Sequence, residues 1–299
     1  MDTYSIIDIG TNNVLMLIAT RENNNIKVLH RSSSISALGK NIKDNILTKA
    51  AITRTKTILK EFIRTSKKYT ENIIIIGTSC SREARNIDIL SKWLKTKYEI
   101  NYRIISGEQE AYFNGLANIR EFSQHNEMIL FDVGGGSTEF TFIKNREIIS
   151  NQTLQLGIRR LQNRFNSNYE SKIQKTKDIL EELQIPVLEN PVIIGIGGTV
   201  TSLVSIQKNL KKYNPEIVHK SKITKKGLYI LLEKLKKSSI LDIASLIPFD
   251  PLRSDILATG TMIVKEIIDF FEVKEFYVSD RGFQFGVLMQ NKEEIQRML

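Results

Sequence analysis

A chain of 299 residues with 41% hydrophobic content is long enough to bury a core in each of two domains, and its net charge of +10, from 43 Lys and Arg against 33 Asp and Glu, attracts anionic partners. Apolar runs such as NIIIIGT and PVIIGIGG fall far short of the about 20 residues that cross a bilayer, which excludes a transmembrane helix, and MDTYSIIDIG lacks the pattern of a signal peptide. The single cysteine, Cys80, excludes an internal disulfide and a thiolate metal cluster, so a packing role for it and a cytoplasmic location are expected.

In chain order, β-branched and aliphatic clusters predict strands at Tyr4–Ile9, Val14–Ala19 and Ile26–Ser33. Between Leu47 and Tyr69 the apolar residues Ala51, Ile52, Ile58, Leu59, Phe62 and Ile63 recur at about 3.6 residues, which predicts an amphipathic helix. A strand at Ile73–Ile76, a helix at Ile87–Tyr98 and a strand at Tyr102–Ile105 follow. A further helix opens at Ser106, where Gln109 completes a capping-box pattern. The programme then restarts with strands at Met128–Val133, Thr138–Ile143 and Glu147–Leu156, and helices at Ile158–Phe165 and Glu170–Gln184. A strand at Val192–Ile196 runs into a helix at GGTVTSL. Helices at Thr224–Lys237 and Asp255–Phe271, a strand at Glu275–Val278 and a helix from Phe283 to Leu299 close the chain. Two successive modules of this kind predict duplicated α/β domains, 1–124 and 125–299, with a cleft between them and the last helix packing back on the first domain. The three histidines, His30, His125 and His219, are too scattered to suggest a metal cluster.

Three turns share one chemical content: DIGTNN from Asp8, DVGGGSTE from Asp132 and GIGGTVTS from Gly195. Glycine lets backbone N–H groups approach a ligand without a Cβ in the way, and consecutive amides form an anion-binding concavity. Thr11, Ser137, Thr138 and Thr199 add hydroxyls there. One such turn is ordinary loop chemistry; three together point to phosphate. Asp8 and Asp132 would repel phosphate unless a cation lies between, so both read as ligands of Mg2+ or Mn2+, direct or through water. Charge alone leaves nucleic acid, phosphorylated metabolite and polyphosphate open.

The motifs DIGTNN, GTSCSREA, ISGEQEA, FDVGGGSTEF, GIGGTVTSL and SDRG, in that order over nearly the whole chain, resemble the exopolyphosphatase and guanosine pentaphosphate phosphohydrolase family of the actin-like ATPase superfamily. The resemblance implies two duplicated actin-like, ribonuclease H-like domains and hydrolysis of inorganic polyphosphate or of guanosine pentaphosphate with a divalent metal, without nucleic acid or membrane as partner. It also suggests a homodimer. Residue by residue, it places Glu110 as catalytic base, Asp132 as metal-associated acid, Gly134, Gly135, Gly136 and Ser137 as one phosphate loop, and Asp8 with Gly10, Thr11 and Asn12 as the other. Arg82 falls on a phosphate-contacting arginine, and Gly197, Gly198 and Thr199 form the third turn.

The chain departs from the family pattern at Asn13, where Ser is common, and at Gln284, where an Arg is common; Arg281 stands near in sequence. An actin-fold kinase and a non-catalytic polyphosphate or alarmone sensor are the competing readings. Glu110 and the lack of a phosphoryl-acceptor motif favour the hydrolase.

Overall fold

The computed structural model describes residues 2–22 and 25–299. The chain divides into two compact units, Met1–Ala117 with Phe283–Leu299, and Asn118–Gly282.

The first unit is built on a five-stranded sheet. β1 (Asp2–Ile9), β2 (Asn13–Glu22) and β3 (Asn25–Ile35) form an antiparallel meander, and β4 (Ile73–Gly77) and β5 (Tyr102–Ile104) extend it parallel to β1, in the order β3-β2-β1-β4-β5. Both faces of β1 are buried, so its side chains alternate between two cores. Ile7 and Ile9 pack with α1 (Lys49–Ser66), whose buried face runs through Ala51, Ile52, Thr55, Leu59, Phe62 and Ile63. Thr48 starts α1 by accepting from the Ala51 amide at 3.2 Å, so the helix begins two residues after the predicted Leu47. Between β4 and β5 lie the short α2 (Ser79–Glu83) and α3 (Asp88–Tyr98). Tyr4 and Ile6 point the other way, into a core closed by α4 (Gly107–Ile119), α12 (Phe283–Met289) and α13 (Lys292–Met298). One helix over 283–299 is the expectation; there are two. The Asn291 side chain accepts from the Glu294 amide at 2.9 Å while the Glu294 carboxylate accepts from the Asn291 amide at 3.1 Å, and this capping box starts a new helix.

The second unit repeats the plan. β6 (Glu127–Val133), β7 (Thr138–Lys144) and β8 (Glu147–Leu154) are an antiparallel meander, and β9 (Val192–Ile196) and β11 (Glu275–Ser279) continue parallel to β6. The short β10 (Lys222–Thr224) adds an antiparallel edge, giving the order β10-β11-β9-β6-β7-β8. Its larger core takes Ile129, Phe131 and Val133 from β6 with Phe140 and Phe142 from β7. The covering helices are α5 (Ile158–Phe165), α6 (Tyr169–Leu180), α7 (Gly198–Gln207), α9 (Lys225–Lys237), α10 (Ile240–Leu246) and α11 (Ser254–Phe270). The short α8 (Pro215–Val218) and α10 lie in segments for which the sequence pattern predicts nothing, and β10 ends on Thr224, the first residue of a predicted helix. Met128, Leu130, Ile194 and Ile196 form a smaller core on the opposite face with Phe122. None of the described helices is long and apolar enough to cross a membrane.

Candidate active site

The β1–β2 and β6–β7 turns are the same turn built twice. The Gly10 amide donates to the Asn13 carbonyl at 2.9 Å, and the Gly134 amide donates to the Ser137 carbonyl at the same distance. Each turn is backed by a buried Leu-Gly pair. In the second unit Gly157 lies so close that a Cβ on it would be 2.3 Å from the Gly136 carbonyl carbon. The amides that follow it, of Ile158, Arg159 and Arg160, donate to Gly134 and Gly135, and Arg160 Nε donates to the Gly136 carbonyl at 2.8 Å. With three successive carbonyls turned toward α5, trans-peptide planarity directs the Gly135, Gly136 and Ser137 amides the opposite way, as a phosphate cradle requires. In the first unit Gly39 does the same work: its amide donates to the Thr11 carbonyl and the Ala37 amide to the Asn12 carbonyl, at 2.9 and 2.8 Å. A Cβ on Gly39 would meet Thr11 Cγ2 at 2.5 Å. Neither Leu38-Gly39 nor Leu156-Gly157 figures in the sequence reading, although the repeated pair was the available signal.

In the first unit, α4 carries Glu110. Its predicted capping box is formed, with the Gln109 amide donating to Ser106 Oγ at 3.1 Å and the Ser106 amide to Gln109 Oε1 at 2.9 Å. Glu108 and Glu110 share this turn but not its environment: Glu110 is buried, whereas Glu108 is exposed. The Glu108 carboxyl is held below its ordinary range by the helix-end backbone amide and by Ser106. Glu110 Oε2 instead accepts from Arg82 Nη1 at 3.2 Å, and the same nitrogen donates to the Ile105 carbonyl at 2.9 Å. Arg82 therefore fixes the carboxylate from α2, whose first turn also presents Thr78 and Ser79. Thr11 Oγ1 and Ser79 Oγ are buried with no hydrogen-bond partner among the described residues, a pattern suited to a polyanion's oxygens. Cys80 is buried and lies near Gly39, in a packing position.

In the second unit the register pairs Asp132 on β6 with Glu139 on β7, so the two carboxylates stand on one face of adjacent strands. Glu139 is buried, and its Oε1 accepts from Ser137 Oγ at 2.5 Å and Thr153 Oγ1 at 3.2 Å. It is a candidate ligand that the sequence reading passed over, because only strand register puts it opposite Asp132. The equivalent pair in the first unit is Asp8 with Leu15, so the second carboxylate has no counterpart there. Gly197, with φ at +91°, makes room for Asp132: a Cβ would sit 2.4 Å from Asp132 Oδ1. Gly198 opens α7 beneath the Arg253 guanidinium, which would lie 2.4 Å from a Cβ there and is ion-paired through Nε to Asp250 at 2.8 Å. Thr199 is buried, with Oγ1 facing Gly260 of α11.

Among the described residues no three His, Cys, Asp or Glu side chains gather closely enough to enclose a metal. The Asp132–Glu139 pair nonetheless fits Mg2+ or Mn2+. Two hard carboxylates suit a cation that keeps several waters and completes its shell on substrate phosphate. Gln284 has a structural role: its Nε2 donates to the Ile6 and Leu15 carbonyls, both at 3.2 Å, tying α12 to β1 and β2. Arg281 approaches Glu121, with Nε 3.5 Å from Oε1. Asn13 Oδ1 accepts from Asn12 Nδ2 at 2.6 Å, within the first turn.

A family model described as the Ppx/GppA phosphatase family matches residues 17–294. A bifunctional 3-dehydroquinate synthase/phosphatase of Fusobacterium nucleatum is 32% identical over 96% of this chain and 46% of its own length, so the chain spans about half of that relative. Exopolyphosphatase 2 of Mycobacterium tuberculosis is 23% identical over 87% of this chain and 88% of its own. The crystal structure of an exopolyphosphatase from Cytophaga hutchinsonii matches at a TM-score of 0.84 with 24% identity, covering 96% of both chains, and shares the two-domain actin-like fold. The strand order repeated in both units and the family match over residues 17–294 lead to one conclusion: the chain belongs to the Ppx/GppA phosphatase family.

Proposed function

We propose that this protein hydrolyses phosphoanhydride bonds, releasing the terminal phosphate of inorganic polyphosphate, the 5′ γ-phosphate of guanosine pentaphosphate, or both. The observation that supports this reading most is the buried Glu110 carboxylate, held at 3.2 Å by Arg82 on the first turn of α4 while neighbouring Glu108 faces solvent. Glu110 takes a proton from water as the water oxygen attacks the terminal phosphorus. The anhydride P–O bond breaks, the water oxygen stays on the released phosphate, and the shortened polyphosphate or the nucleotide leaves with the bridging oxygen. Arg82 orients Glu110 and adds positive charge beside the transferred group. Within each unit one turn, Gly10–Asn13 in the first and Gly134–Ser137 in the second, offers amides suited to phosphate oxygens, and Thr11 and Ser79 add hydroxyls in the first.

In the second unit Asp132 and Glu139 are the residues that would hold Mg2+ or Mn2+, and in the first unit Asp8 is the candidate. When bound, the ion neutralises charge on the phosphate oxygens. Glu139 is kept in place by Ser137 and Thr153, and Gly197 keeps the space around Asp132 open.

Phosphate release from long-chain polyphosphate and from guanosine pentaphosphate, measured side by side without any acceptor, tests the reading. Turnover of at least one substrate is expected. Release that requires an added acceptor would identify a transferase, and tight binding of both substrates without turnover would identify a sensor.

A further inference from the structure

At the carboxyl edge of the second unit's parallel strands, Arg253 stands over a glycine step beside Asp132. The register of β6, β9 and β11 aligns Asp132, Ile196 and Ser279, so Gly197 and Gly198 leave the sheet next to Asp132, at the edge where ligands of such sheets bind. A Cβ on Gly198 would lie 2.4 Å from Arg253 Cζ, Nη1 and Nη2 alike, so the guanidinium lies flat against a position that only glycine leaves open. Gly197, one residue earlier, makes the same room for Asp132 Oδ1. Asp132 Oδ1 and the Arg253 fork therefore flank one two-glycine step, no more than about 12 Å apart. A second path runs through the first turn of α11. Asp255 accepts from Arg159 Nη1 and Nη2 at 2.8 and 3.3 Å, and the Arg159 amide donates to the Gly135 carbonyl at 2.8 Å. Arg253 is thus tied within one unit both to Asp132 and to the Gly134–Ser137 turn.

We propose that Arg253 is a substrate-binding residue, whose Nη1 and Nη2 take a phosphate of the substrate other than the one cradled at Gly134–Ser137; this rests on the reading of the protein as a phosphoanhydride hydrolase. Asp250 Oδ2 accepts from Arg253 Nε at 2.8 Å and occupies that edge of the guanidinium. Nη1 and Nη2 donate to none of the described residues. The side chain is only 11% exposed, held by Asp250 on one edge and by the Gly198 backbone on one face, so the guanidinium is fixed before a ligand arrives. Parallel N–H groups on its open edge match two oxygens of a phosphate. What the Gly197–Gly198 turn presents to an anion is therefore a guanidinium as well as amides, one step away from the carboxylate proposed to hold the metal.

The test is calorimetric binding of tripolyphosphate and of guanosine pentaphosphate to the Glu110→Gln protein, which slows consumption of either ligand, with and without a second change. Arg253→Gln should weaken binding of at least one of the two by about tenfold or more, because it removes charge-assisted hydrogen bonds to phosphate. Arg253→Lys keeps the charge without the fork and should lose less. Asp250→Asn separates recognition from support: it breaks the same ion pair but removes a negative charge beside the anion, so affinity should hold or rise. A loss that includes tripolyphosphate places Arg253 on the linear phosphate chain, and a loss for guanosine pentaphosphate alone places it on the 3′-diphosphate. Unchanged affinity in folded Arg253→Gln overturns the proposal, as does absence of binding by both ligands. An equal loss in Asp250→Asn also overturns it, since the pair would then be structural. Turnover of the two substrates by the parent protein is measured separately: its absence fails the hydrolase reading, whereas turnover with unchanged affinity in Arg253→Gln fails only the role of Arg253.

Discussion

Gly286 of α12 packs directly on the backbone of Phe113 in α4: a Cβ added at Gly286 would lie 1.8 Å from the Phe113 carbonyl oxygen. No side-chain rotation relieves a clash with backbone, so Gly286→Ala must push the two helices apart. The expected loss is at least the roughly 1–3 kcal/mol of an overpacked core. Phe113 lies one turn after Glu110, so the displaced helix also carries the proposed base. Denaturant unfolding and turnover should both suffer, and an alanine variant with unchanged midpoint would show that the contact is looser than described.

Lys172 is buried among neutral partners. Its Nζ donates to Gln162 Oε1 at 2.7 Å and to Thr259 Oγ1 at 3.1 Å, and it sits 4.9 Å from the Tyr169 ring centroid. Burial pushes its pKa below the ordinary 10.5. Between the lowered folded-state value and 10.5 the unfolded chain therefore binds more protons than the folded one, and stability rises with pH through that window. Lys172→Met removes the titration while keeping the length of the side chain, and Thr259 Oγ1 still donates to Gln162 at 3.0 Å. The variant's stability should be flat over the same alkaline window, with its advantage over the parent greatest at neutral pH. Parallel curves of unfolding free energy against pH for the two proteins would contradict this.

What the sequence made legible was local. The Ser106–Gln109 capping box needs only residues three apart, and each Asp-aliphatic-Gly turn follows directly from the strand before it, so both could be read without knowing which strands pair. Glu139 could not be read in the same way. It stands inside the quoted FDVGGGSTEF motif, yet its relation to Asp132 exists only through the β6–β7 register. Gly39 and Gly157 are similar cases, each separated by two strands from the turn it supports. The break between α12 and α13 was written in the sequence as Asn291 followed by Glu294, a local signal masked by the continuous apolar pattern of Phe283, Val287 and Ile295.

Glu139→Gln tests the carboxylate pair. The amide keeps an oxygen for Ser137 and Thr153 but loses the charge that a divalent cation needs. The Mg2+ concentration for half-maximal phosphate release should rise by about 10–100-fold, with the melting temperature in chelator close to that of the parent. An unaltered Mg2+ requirement would remove Glu139 from the proposed metal set.

Glu110→Gln is the decisive substitution, because Gln preserves the shape of the side chain and an acceptor for Arg82 while abolishing its basicity. If Glu110 deprotonates water, turnover should fall by roughly 10²–10⁴, the usual contribution of a positioned general base, while polyphosphate binding survives. Glu108→Gln is the matched control: it has the same loss of charge on the same helical turn, at an exposed position whose carboxyl interacts with Ser106 and the helix-end amide. That control should lose only the helix-dipole contribution, about 0.3–1 kcal/mol of stability, and hydrolyse at a near-normal rate. Arg82→Lys separates orientation from chemistry. A lysine keeps the charge but loses the planar group that bonds both Glu110 and the Ile105 carbonyl, so turnover should drop with the pH profile otherwise unmoved. Equal rates for Glu110→Gln and Glu108→Gln at matched folded fraction would leave the buried carboxylate a structural partner of Arg82, and the base would have to be sought elsewhere.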